Sequence, residues 1–237
     1  MSSTQFSLCK RLVWSVHLFS ALTRERHTEM LPLLNKHVPK DGVIIDAGDH
    51  EGQFAKLFAQ AVPQGHVYAF EPRSYARSII SKVISVKKLK NVSLFPTGLS
   101  DKTAEETSGS NDAGHAGCPV MREDEDKIVV TTLEQFAFLH RLKRVDFIKA
   151  DIDGREMRFL LGARPVIEKF RPVIFLEAND PSAQHAGNTA EQVWGFLKSL
   201  NYHINRLEDD GVTLTPLSAP VANADIWCVA ENRRKGR

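Results

Sequence analysis

Cysteine is scarce in this chain: three in 237 residues, Cys9, Cys118 and Cys228, all far apart. That spacing suits neither a disulfide framework nor a zinc site, and a reducing, cytoplasmic setting is the simple inference. An excess of one charge is also missing. Thirty-one basic side chains face 29 acidic ones, for a formal net charge of +2, so nothing global calls for a nucleic-acid partner. The basic tail Arg233-Arg234-Lys235-Gly236-Arg237 is short and reads as a solvated, disordered end. Long apolar runs are lacking, so no stretch can cross a bilayer as a helix, and no membrane partner is expected. Lys10-Arg11 ahead of Leu12–Phe19 has the outline of a secretory signal, but the apolar part is short, carries His17 and lacks a clear small-residue cleavage site. Leu12, Val16 and Phe19 share one helix face, and the segment reads as an amphipathic N-terminal helix.

What the chain does have is a stretch of order: Val43-Ile44-Ile45-Asp46-Ala47-Gly48-Asp49-His50-Glu51-Gly52. It starts as a short apolar run suited to a strand buried on both faces. It ends in acids and glycines, and Phe54, Leu57, Phe58 and Ala61 then repeat at helical spacing. Strand, glycine turn and helix together make the opening unit of a nucleotide-type site. The spacing is D-x-G-x-x-x-G rather than G-x-G-x-x-G, and Asp46, Asp49 and Glu51 would repel a pyrophosphate. A cationic ligand with hydroxyls and a free amine fits better, and S-adenosylmethionine is such a ligand. Acids that merely cap a helix are the simpler reading of the same residues.

Alternation continues along the chain. Strands are expected at 66–70, 91–95, 127–131, 145–150 and 173–177, with helices at about 74–89, 132–141, 155–164 and 189–200. Pro165 is expected to start a fresh turn, and Gly98–Asp101 reads as a loop. Residues 102–126 are polar and glycine-bearing, an excursion that could serve as a lid; His115 and Cys118 in it do not make a metal site. Residues 202–207 and 225–230 read as two closing strands. The order predicts a mainly parallel α/β sheet with helices on both faces and an antiparallel strand at the end. The domain plan is a helical cap over 1–40, the α/β domain over 41–231 and the tail over 232–237.

Ligands in such sheets bind beyond the carboxyl ends of the strands. Here those ends carry Asp46, Glu71, Asp151 with Asp153, and Glu177. Glu71, about 20 residues past the glycine turn, stands where ribose hydroxyls are usually bound. Acids converging on one rim repel one another unless a cation or hydrogen-bond donors satisfy them.

Several blocks together resemble the FkbM-type methyltransferase family, in the family's order over about residues 40–205. They are Asp46-Ala47-Gly48…Gly52, Phe70-Glu71-Pro72, Gly98-Leu99-Ser100-Asp101, Thr132-Leu133-Glu134, Phe147-Ile148-Lys149-Ala150-Asp151-Ile152-Asp153-Gly154-Arg155-Glu156 and Pro172–Glu177. The resemblance implies the class I methyltransferase fold, a Rossmann-like, mainly parallel seven-stranded sheet, with S-adenosylmethionine as cofactor. It implies O-methylation of a hydroxyl on a sugar or other small molecule. Asp46, Ala47, Gly48, Asp49, His50 and Gly52 would hold the methionine end of the cofactor. Glu71 and Pro72 would meet the ribose, and Ser100 and Asp101 the adenine. Asp151, Asp153, Glu177 and Asn179 would face the methyl group and the acceptor, with Asp151 as base and Glu177 or His185 behind it.

Where the family usually has G-A-N-x-G, this turn has Asp49-His50, which motivates a rival: a non-catalytic cofactor-binding or partner-binding protein with a degenerate methyltransferase fold. An NAD-dependent oxidoreductase is disfavoured by the acidic turn and the missing third glycine. Asp151, Glu177 and Asn179 loosely resemble the oxygen donors of cation-dependent catechol-type methyltransferases, which would suit Mg²⁺; the reading adopted assigns no metal.

Overall fold

The computed structural model describes residues 3–48, 51–107, 127–152, 154–178 and 189–232. A helix, α1 (Ser3–Thr23), leads through a 3₁₀ turn at Thr28–Met30 into α2 (Leu31–His37). Then β1 (Val43–Ala47), α3 (Gln53–Ala61), β2 (His66–Phe70), α4 (Ser74–Lys87) and β3 (Val92–Phe95) alternate. Three short strands follow, β4 (Gly98–Leu99), β5 (Ala104–Thr107) and β6 (Lys127–Thr131). Alternation resumes with α5 (Leu133–Leu139), β7 (Phe147–Ala150), α6 (Glu156–Phe170), β8 (Val173–Ala178) and α7 (Ala190–Ser199). The last strands are β9 (Tyr202–Leu207), β10 (Leu214–Pro216) and β11 (Ala224–Ala230).

The main sheet has eight strands in the order β10-β9-β11-β8-β7-β1-β2-β3. From β3 to β8 neighbours run parallel; β11, β9 and β10 are antiparallel. This is the expected mainly parallel α/β sheet with an antiparallel end, carrying one strand more than the seven anticipated. The extra strand is β10, from a segment read as a proline-bearing loop. It lies at the sheet edge, where Pro216 removes no central hydrogen bond.

The apolar strands are buried on both faces. Ile45, Ile148 and Ile174 meet Phe159, Leu160 and Ala163 of α6 and Leu197 of α7 on one side. Ile44, Phe147 and Phe175 meet Leu34 of α2, Leu57 and Phe58 of α3, and Trp227 of β11 on the other. Each such side chain contributes about 1.5–3 kcal/mol by leaving water. Chain order runs outward from β1 to β2 and β3, then returns to β7 on the other side of β1. That reversal makes the β1–β7 boundary the switch point, where the strand ends open a crevice.

Two local expectations are corrected. Pro165 lies inside α6. It removes one hydrogen bond, but Leu161, which would supply the carbonyl, is on the solvent side, and Phe159, Ala163, Val166 and Ile167 bury a continuous stripe across the proline. Gly98-Leu99 is not loop: it pairs with Val130-Thr131, building a second, three-stranded sheet, β4-β6-β5. His115, Cys118 and the tail at 233–237 lie outside the described residues. No helix among the described residues is long and apolar enough to cross a membrane.

Gly162 of α6 presses on the second sheet's exit. A Cβ there would overlap the Ser100 carbonyl oxygen and crowd the Asp101 backbone. Gly162→Ala should therefore destabilise the protein by about 1–3 kcal/mol in urea unfolding, although alanine is the better helix former by about 1 kcal/mol.

Candidate active site

The strand ends are tied together by the backbone. The Gly48 N–H donates to the Phe70 carbonyl at 3.0 Å, and the Asp151 N–H to the Ala47 carbonyl at 3.1 Å. Gly48 takes a left-handed φ of 81°, and a Cβ there would run into the Asp151 carbonyl, so the turn between β1 and α3 needs glycine at this place. A crevice of about 600 Å³, open to solvent, lies over this junction. Ala47, Gly48, Glu71, Pro72, Ser100 and Asp151 line it, with Ile128 and Val130 of β6 and Arg155 opposite.

The most deeply placed charges are Asp46 and Lys149, both with side chains 0 % exposed. They sit side by side in register on β1 and β7, with Nζ 3.6 Å from Asp46 Oδ1 and 3.7 Å from Asp151 Oδ2. The ammonium also donates to the carbonyls of Ala47 and Gly48 and lies over the Phe54 ring. Burial pushes the Asp46 carboxyl up to about 6, against the pull of the Lys149 charge. Asp46 is thus turned into the protein, not onto the crevice wall; Lys149 opposite it in the sheet register is the reason.

At the next strand end, Glu177 hydrogen-bonds Asp151. That bond first, then burial, then the charges of Asp151, Asp225 and Glu156 push the Glu177 carboxyl up to about 8. Asp225 of β11 stands opposite Glu177 in the sheet, and burial followed by the Asp151 charge raises it above the ordinary carboxylate range. Glu156 has a different duty. Its Oε1 accepts from the Ile152 N–H at 3.1 Å and the Gly154 N–H at 3.3 Å, locking the turn after β7, while burial pushes it up to about 7.

On the other flank, Glu71 is buried at the end of β2 and its Oε1 accepts from the Arg73 N–H at 2.9 Å. Ser100 is buried beside it in the crevice wall. Asp101 is taken up by Arg158, whose Nη2 is 2.9 Å away. Burial pushes Asp101 up, but Arg158 and the Ser100 hydroxyl outweigh it and hold the carboxyl below its usual range. Arg158 also bridges to Glu106, fastening β5 to α6. Asp49, His50, Asp153, Asn179 and His185 lie outside the described residues. Gly52 begins α3 in a left-handed conformation, φ 75°.

Three residues were missed from the sequence. Lys149 could have been found as the lone cation within an apolar strand. Glu51, noted only as one acid of the turn, has a buried Oε2 with no hydrogen-bond partner among the described residues. His27 arrives from the N-terminal cap, and no sequence signal marked it. It stands in a left-handed conformation, φ 62°, stacks on Phe54 with centroids 4.4 Å apart, and is held below its ordinary value by burial, with Lys149 and Asp151 in electrostatic reach. Lys56 secures this cap by donating to the Ala21 carbonyl at 2.7 Å and the Arg24 carbonyl at 2.6 Å.

Residues 46–204 match the Methyltransferase FkbM domain. The chain is 27% identical over 147 residues to Methyltransferase 1 of Beauveria bassiana, covering 52% of this chain and 59% of that protein. It is 24% identical over 213 residues to AMB antimetabolite synthetase AmbE of Pseudomonas aeruginosa, covering 73% of this chain and 10% of that protein. The chain therefore spans less than two thirds of the length of these curated relatives. In fold it is similar to Methyltransferase FkbM from Methylobacillus flagellatus, at a TM-score of 0.56 and 16% identity over 80% of this chain and 44% of that one. It is likewise similar to an O-methyltransferase from Bacillus cereus solved with SAH, at a TM-score of 0.53 and 13% identity over 98% of this chain and 92% of that one. The fold is that of the class I methyltransferases.

Lys149→Met would leave Asp46 buried without its cation and should cost about 3–5 kcal/mol in urea unfolding. The raised carboxyls set a pH dependence. Glu156 and Glu177 hold protons in the folded state up to about 7 and about 8, above their values in the unfolded chain. Their contribution is full at low pH and is lost as pH rises through those values. The melting temperature should fall between about pH 5.5 and pH 8.5, and Glu177→Gln should flatten that fall.

Proposed function

The chain belongs to the FkbM methyltransferase family, and we propose that it transfers a methyl group from S-adenosylmethionine to a hydroxyl of a sugar or other small molecule. The observation that carries this reading is the Asp151 carboxylate in the wall of the switch-point crevice, with Glu177 beside it at the end of the neighbouring strand. When bound, S-adenosylmethionine supplies an electrophilic methyl on a sulfonium centre.

The residues present suit that cofactor. Gly48 lets the backbone come close, and the orphaned Glu51 oxygen can take the methionine ammonium. Glu71 in the crevice wall would take the ribose hydroxyls, and Ser100 with Ile128 and Val130 would meet the adenine. Asp46 acts from behind, keeping Lys149 charged. Lys149 in turn holds the Ala47 and Gly48 carbonyls and faces Asp151.

Asp151 is the base in this reading. Glu177, protonated at neutral pH, donates to one Asp151 oxygen and fixes its orientation. Asp151 would then take the proton of the acceptor hydroxyl as its oxygen becomes nucleophilic. Asp225 and His27 border the acceptor side, where the helical cap of residues 1–40 meets the strand ends. Positioning of the acceptor can lower the barrier by roughly 7–11 kcal/mol when the geometry is right.

Calorimetry with S-adenosylmethionine and with its demethylated product should show binding, weakened at least tenfold by Glu71→Ala. Asp151→Asn should keep cofactor binding and lower kcat by roughly 10²–10⁴ against a panel of sugar and small hydroxyl acceptors. Binding with no turnover on any acceptor would give the chain to the non-catalytic reading. Equal turnover by Asp151→Asn would remove that residue from the base role.

A further inference from the structure

Arg155 stands where local structure asks for a different residue. It is the N-cap of α6, and its side chain makes no capping hydrogen bond. Serine, threonine, aspartate or asparagine would satisfy an orphaned N–H there. Its charge also lies at the positive end of the helix dipole, where a cation is disfavoured. Among the described residues, its side chain takes part in no hydrogen bond, ion pair or ring contact. Arg158, one turn further along α6, is by contrast tied to Asp101 and Glu106. The Arg155 guanidinium carries five donors on a half-buried residue, and donors taken from water without a partner are costly. Proteins break such local rules at functional positions.

The backbone nevertheless holds Arg155 firmly. Its N–H donates to the Ile152 carbonyl at 3.4 Å, and its own carbonyl accepts from the Phe159 N–H at 3.0 Å. Gly154 before it turns at a left-handed φ of 86°, and Glu156 after it locks that turn through the Ile152 and Gly154 N–H groups. This rigid start of α6 places Arg155 in the crevice wall, together with Leu99, Ser100, Ile128 and Val130.

A guanidinium in such a wall suits either an anion or the face of a flat π ring. The carboxylates decide between them. Glu71, Glu106 and Asp151 line the same crevice and would repel an anion. A neutral purine meets no such opposition, and Leu99, Ile128 and Val130 offer it an apolar surface. We propose that Arg155 binds the cofactor by stacking its guanidinium on the adenine ring, which it closes against Ile128 and Val130. This rests on the methyl-transfer reading and adds a binding residue to that site.

The test is calorimetry with S-adenosylhomocysteine on the full chain. The parent should bind it, and Arg155→Ala should bind it about tenfold more weakly or worse, the loss that follows removal of one stacking partner from a base. Arg155→Lys keeps the charge but lacks the plane, and it should lose nearly as much. At saturation, the adenine absorbance of the bound ligand should be less hypochromic in Arg155→Ala than in the parent, a change that a merely structural residue would not produce. Arg155→Ala should melt no lower than the parent, because it removes a cation from the positive end of a helix. Equal affinity of the parent and Arg155→Ala, or full retention by Arg155→Lys, would overturn the stacking role and leave the cofactor reading standing. Inorganic phosphate that displaced S-adenosylhomocysteine from the parent through Arg155 would give the guanidinium to an anion and overturn it as well. No binding by the parent would overturn the cofactor reading and this one with it.

Discussion

The structure is organised around a single buried ammonium. Lys149 sits in the middle of the sheet with no access to water, a position that is expensive for a charge unless it is paired and hydrogen-bonded. It meets both conditions at once. Asp46 and Asp151 supply the countercharge, and the carbonyls at the end of β1 accept its protons. Those same carbonyls begin the glycine turn. The lysine therefore fixes the shape of the turn and the charge state of the acids on either side of it. A purely apolar strand could give the sheet equal stability, but it would leave the strand-end carboxylates facing one another with nothing to balance them.

From that centre the acids divide into two groups. Glu71 and Ser100 face the crevice on the β2 side, where the second sheet supplies an apolar wall through Ile128 and Val130. Glu177 and Asp225 lie on the β8–β11 side, where burial and neighbouring carboxylates push both upward, Glu177 to about 8. Asp151 stands between the groups and belongs to both. Asp101, close in sequence to this rim, is drawn away from it by Arg158 and serves to anchor the second sheet.

Much of the architecture was legible because parallel strands buried on both faces are written as short apolar runs, and because acids and glycines mark where each run ends. Val43–Ala47 and Phe147–Ala150 were both visible in this way. The motif around residues 147–156 also marked the end of β7 and the turn into α6. Its internal division of labour was not visible. Lys149 and Glu156 look like surface charges in one dimension, and only register and burial reveal one as a counterion and the other as a lock on a turn. The reverse held for Asp46, to which the family resemblance gives a place on the ligand and whose side chain is fully buried beside Lys149. Gly98-Leu99 and Leu214–Pro216 are too short to carry an alternation pattern, so their pairing depends on partners far away in the chain. His27 is beyond reach of any local pattern, since its place depends on how a helical cap rests on the sheet.

The second sheet has one more implication. Thr107 of β5 is paired directly with Lys127 of β6, so the chain leaves and re-enters at neighbouring points, roughly 5 Å apart across an antiparallel ladder. Whatever length of polypeptide joins those two residues is therefore spliced onto a closed hairpin stem. Lengthening it adds little closure entropy, about 0.6 kcal/mol per doubling. The pairing that positions Ile128 and Val130 is thus closed by its own ladder, whatever the length of chain it carries.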